Sequence, residues 1–87
     1  MDNEKPHVLL RKLAYTLDQM GSGLDAVDRG FGWTYFNETK RKSERLILQL
    51  PVEIQLRFDG LELGVHTWFT FHKLVVELLK EYPEEEQ

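Results

Sequence analysis

LILQLPVEIQLRF, residues 46–58, sets an apolar side chain at every second position: Leu46, Leu48, Leu50, Val52, Ile54, Leu56 and Phe58, with Gln49, Glu53, Gln55 and Arg57 among the alternates. Successive side chains of a strand point to opposite faces, so this alternation predicts a long strand with one core face and one largely wet face. Asp59-Gly60 follows, a pair that tolerates the positive φ angles of a two-residue hairpin turn. A turn there sets Phe58 against Leu61, Leu56 against Leu63 and Ile54 against Val65, and every same-face pair is apolar. Pro51 cannot donate to a ladder, so it marks where the strand changes partners: the first half pairs back with 33–37, the second with 61–66.

Outward from this stretch, Trp33, Thr34, Tyr35 and Phe36 have the aromatic and β-branched character of a short strand ending at Asn37. ETKRKSER, 38–45, reads as the polar hairpin loop between strands. Ahead of them, Leu9, Leu10, Leu13, Leu17 and Met20 recur at helical spacing behind Pro6, and Gly21 and Gly23 stop that helix. At the other end, Trp68, Phe71, Val75, Leu78, Leu79 and Tyr82 share one face of a last helix that Pro83 closes. The expected fold is α+β in the order α-β-β-β-α, a three-stranded antiparallel sheet with both helices packed on one face. It forms a single domain over 1–87 with polar ends at 1–4 and 83–87.

A chain of 87 residues has room for one core. Fifteen acidic against 11 basic residues give a net charge of −4, which opposes a general polyanion binder. The absence of cysteine removes disulfides, thiolate metal sites and cysteine nucleophiles, and suits a reducing compartment. With no basic leader before an apolar run and no long apolar run, the chain reads as soluble and cytoplasmic, without a membrane association.

RGFGWTYF, 29–36, resembles the aromatic signature of RNA-recognition domains. In that fold the signature lies on a central strand preceded by strand, helix and strand, whereas here a single helix and a glycine loop precede it, so the resemblance carries no function. Double-stranded-RNA-binding domains share the α-β-β-β-α order, but the start of the last helix offers only Lys73 where that family gathers lysines. GSGLDA, 21–26, follows a helix rather than a strand, so it is no dinucleotide fingerprint. His7, His66 and His72 have no metal-ligand spacing, and Ser22 and Ser43, both read as loop residues, lack the context of an activated nucleophile. No enzyme, no cofactor and no metal is expected.

The last helix carries more apolar circumference than one sheet face hides. Phe69 and Val76, seven apart with His72 between them, widen its stripe by about 80°. Surplus apolar surface calls for a partner or for cover by the glycine-rich segment. The functional reading is a small non-enzymatic interaction module, an inhibitor, adaptor or regulator. Its protein partner meets Phe69, His72 and Val76 with Phe31 and Trp33, and a homodimer is a second use of the same seam. The alternative is nucleic-acid binding through Lys40, Arg41, Lys42 and Arg45 of the basic loop and the aromatics of 31–36.

Overall fold

The computed structural model describes residues 5–30 and 32–83, with Asp25 and Asp28 described by their backbone alone. Among the described residues there are four α-helices and no strand. They are α1 (Pro6–Asp28), α2 (Trp33–Gln49), α3 (Val52–Gln55), which continues as a 3-10 turn over Leu56–Phe58, and α4 (Trp68–Glu81). The expected α+β fold is therefore incorrect: helices stand at both ends, but no three-stranded antiparallel sheet lies between them.

The reason lies within 46–58. A set of every second residue contains a set of every fourth, and residues four apart share a helix face. Leu50, Ile54 and Phe58 are buried, while Leu48, Val52 and Leu56, which a strand would have put on the same side, are 72%, 71% and 63% exposed. Pro51 does end a segment, but the segment is α2. Having no N–H, it cannot continue the helical ladder, and its carbonyl instead accepts from the Ile54 and Gln55 amides, both at 2.9 Å, to begin α3. The Gln55 side-chain amide reaches back to the Leu48 and Leu50 carbonyls at 3.0 and 2.7 Å, satisfying acceptors that the end of α2 leaves open. Asp59-Gly60 is a turn with Gly60 at φ 82°, but it follows a 3-10 turn and leads into coil, so no hairpin forms.

The expected strand at 33–37 and the expected loop at 38–45 are most of α2. Its inward face carries Phe36, Thr39 and Ser43, followed by Leu50, with Leu46 and Ile47 partly buried. Thr39 returns its hydroxyl to the Tyr35 and Phe36 carbonyls at 3.0 and 2.9 Å, which lets a polar side chain enter the α1–α2 interface. The Ser43 hydroxyl is buried there with no hydrogen-bond partner among the described residues.

α1 does not stop at Gly21 and Gly23 but runs through both to Asp28. A helical glycine is unfavourable by about 1 kcal/mol relative to alanine, so its presence calls for a packing reason. A Cβ on Gly21 would lie 2.5 Å from Cζ2 of Trp68. That indole is fixed by its Nε1–H donating to the Leu17 carbonyl at 2.6 Å and by stacking on His72 at 5.1 Å. The true stop is the turn at 29–32, where Gly30 and Gly32 adopt φ 92° and 86° and fold α2 back along α1.

Within the resulting core, Leu10, Leu13, Leu17 and Met20 of α1 are fully buried, and α1 packs against both α2 and α4. Phe58 stacks on Phe71 at 5.5 Å, joining the segment after α3 to α4.

The Gly21 contact makes a prediction whose sign depends on magnitude. Alanine at 21 gains about 1 kcal/mol of helix propensity, but overpacking against a fixed indole costs about 1–3 kcal/mol. Gly21→Ala should therefore lower stability in urea unfolding, and should raise it in a Trp68→Leu background. The same sign in both backgrounds would contradict the contact.

Candidate docking surface

The corner where α2, α3 and the segment 59–63 meet holds the surface that the sequence pattern concealed. Leu48 in the last turn of α2, Val52 at the start of α3 and Leu56 at the start of the 3-10 turn are spaced four apart and mostly exposed. Beside Leu48 opens a groove of about 510 Å³ lined by Ile47, Leu48, Phe58, Leu61, Leu63 and Phe71. Glu44, Asp59 and Glu62 also line it, so the groove combines apolar side chains with three acids. The alternation in 46–58 was legible, yet it assigned all seven apolar residues to the core. Four-residue spacing alone does not separate Leu48, Val52 and Leu56 from the buried Leu50, Ile54 and Phe58, which share it.

The predicted seam is only partly assembled. Phe69 lies on the outer face of α4 and is 69% exposed; Val76, two turns on, is exposed as well. His72 is half-buried, stacked on Trp68 and hydrogen-bonded through Nε2 to Asp18 Oδ1 at 2.8 Å, so it braces α4 against α1. Trp33 is exposed at the start of α2 and packs edge-on against Phe36 at 5.8 Å, with no ring contact to Phe69. Phe31 lies outside the described residues.

The basic residues stand on α2, not in a hairpin loop. Lys42 and Arg45 line a groove of about 610 Å³ together with Arg11, Lys12, Tyr15, Thr16, Gln19, Leu46 and Gln49. Arg41 adjoins that groove beside Glu38, whereas Lys40 lines neither. Trp33 and Tyr35 belong to the opposite end of α2, and the aromatic ring in the groove is Tyr15 of α1.

Ser22 and Ser43 are helical, in α1 and α2, rather than in loops. Ser22 donates to the Asp18 carbonyl at 3.2 Å, and no hydroxyl is aligned with His72. Among the described residues no group of His, Asp and Glu could hold a metal ion, and no helix is long and apolar enough to cross a membrane.

An exposed ion pair links the 3-10 turn to the end of α4. Arg57, in the 3-10 turn, donates from both terminal nitrogens to Glu81 at the end of α4, at 2.8 and 3.0 Å. Hydrogen bonding and charge from Arg57 hold the Glu81 carboxyl below its ordinary 4.5. No protein-family model, curated protein or solved structure matches the chain.

A carboxylate with a depressed folded pKa contributes stability above its unfolded value, and that contribution is lost as pH falls through the folded value. The Glu81 side-chain resonance should therefore titrate below 4.5 in wild type and move upward in Arg57→Gln. An unchanged titration in the variant would show the pair to be absent in solution.

Proposed function

We propose that this protein is a small non-enzymatic interaction module, an adaptor or regulator, that docks a basic amphipathic helix of a partner protein on the α2–α3 corner. The observation that carries the reading is the exposure of Leu48, Val52 and Leu56, with Leu48 lining a groove that also holds Glu44, Asp59 and Glu62. Burying a large aliphatic side chain is worth roughly 1.5–3 kcal/mol, so three give roughly 5–9 kcal/mol. Association costs about 4–15 kcal/mol in lost freedom. The row alone does not hold a partner at useful concentration. The groove floor must add apolar contact, and Glu44, Asp59 and Glu62 favour a cationic rim on the other side.

An amphipathic helix supplies both, with apolar side chains at three- and four-residue spacing and lysine or arginine on its flanks. Phe69 and Val76 supply a second contact face, open to another copy of the chain. The cytoplasm is the setting that a cysteine-free chain suits.

A synthetic helix of leucine and lysine titrated into labelled protein should shift the methyl resonances of Leu48, Val52, Leu56 and Leu61 and leave Val76 in place. Leu48→Glu with Leu56→Glu should abolish those shifts while changing stability by only about 0.5 kcal/mol, as exposed positions allow. Shifts spread evenly over the surface, or unaffected by the double variant, would reject the corner as the docking site.

A further inference from the structure

α1 joins the rest of the chain at one place, the 29–32 turn, and it is the element on which α2 and α4 both pack. The remainder has ties of its own. The Gln55 side-chain amide clasps the Leu48 and Leu50 carbonyls, Phe58 stacks on Phe71, and Arg57 pairs with Glu81. These contacts link α2, α3 and α4 without using α1. Between α2 and α4 lies the slot that α1 fills, with Phe36, Thr39 and Ser43 buried on one wall and Val75 and Leu78 on the other. The element that fits this slot is an α1, from the same chain or from another. We propose that two copies exchange α1 through the 29–32 turn, each α1 packing between the α2 and α4 of the other copy.

The geometry of exchange closes on itself. With the turn straightened, 6–49 forms one helix of about 66 Å at 1.5 Å per residue, longer than the 46 Å of the closed molecule. Two such helices laid antiparallel set each α1 beside the other chain's α2, because α2 already runs back along α1 within one chain. Both turns then lie at the two-fold axis, and a closed dimer results rather than an open filament.

The α1–α2 and α1–α4 contacts are remade between chains, including the Trp68 bond to the Leu17 carbonyl and the His72 bond to Asp18. What differs between the two states is the turn. In the closed state Gly30 and Gly32 hold φ 92° and 86°, a region unfavourable to side chains, and a Cβ on Gly32 would lie 2.8 Å from the Ala26 Cβ. In the exchanged state both positions are helical, where glycine is the less favourable residue. The two glycines therefore hold the chain closed at low concentration and set the concentration at which exchange begins.

Gly30→Ala with Gly32→Ala reverses both preferences. Four alanines per dimer then leave the left-handed region, so the dimerisation Kd should fall by about a thousandfold or more in analytical ultracentrifugation. A Gly-Ser-Gly insertion after Gly30 in that variant relaxes the turn and should return it to monomer.

A cross-link identifies which dimer forms, and the chain has no cysteine of its own. Gln19 of α1 and Lys42 of α2 line one groove. One chain carrying Gln19→Cys and another carrying Lys42→Cys, unfolded together in urea and refolded at high concentration, should be joined by a short bismaleimide. The yield should rise with concentration. Dimers formed through Phe69 and Val76 of α4 would leave each α1 against its own α2 and give no such link.

Circular dichroism should show the alanine variant helical. If it is unfolded, the cross-link between co-refolded chains that keep Gly30 and Gly32 decides the matter, and its absence overturns the proposal. A folded alanine variant that stays monomeric would also overturn it, as would a dimer that lacks the link. None of these results bears on the α2–α3 corner, whose test uses a separate peptide.

Discussion

The fully buried stripe of Leu10, Leu13, Leu17 and Met20 on α1 is the surface against which both α2 and α4 pack. α2 and α4 meet this stripe far more than they meet each other, so α1 is the middle of the molecule and not one of two outer helices on a sheet. Its breadth follows from that position, because a helix with neighbours on two sides needs a wider apolar face than one lying on a single layer. The polar bond from the Trp68 indole to the Leu17 carbonyl fixes where α4 crosses, and Gly21 leaves the space for that indole. The 29–32 turn fixes α2 in the same way from the other side.

From that arrangement the two grooves follow. Because α2 lies along α1, Arg11 and Lys12 come to stand beside Lys42 and Arg45, although about thirty positions separate them in the chain. Because Pro51 ends α2 and Gln55 closes the break, the short helix that follows turns Ile54 and Phe58 inward and leaves Val52 and Leu56 outside. Lys42 and Arg45 line a groove on one flank of α2, and Glu44 lines a groove with Asp59 and Glu62 on the other.

How much of this was legible in the sequence differs by element. The apolar stripes of α1 and α4 were plain, since each repeats over at least three turns with no competing period. The extension of α1 was hidden because Gly21 and Gly23 look like terminators when their packing against Trp68 and Tyr35 cannot be seen. α2 was hidden because its inward face uses Thr39 and Ser43 where an apolar residue would have revealed the helical period. The stretch 46–58 was misread because its pattern satisfies two periods at once, and only tertiary packing selects between them. That misreading also concealed the exposed corner, since Leu48, Val52 and Leu56 were counted as core. Among the site residues, Phe69 and Val76 are exposed on α4, while the exposed Trp33 packs against Phe36.

The central claim is that tertiary packing turns Leu50, Ile54 and Phe58 of 46–58 inward and leaves Leu48, Val52 and Leu56 to solvent. Methyl NMR with a soluble gadolinium chelate tests it directly, because the probe attenuates only accessible methyl groups. Strong attenuation at Leu48, Val52 and Leu56 with protection of Leu50 and Ile54 is the predicted result. Uniform protection of all five would contradict it and return the stretch to a strand with a single buried face.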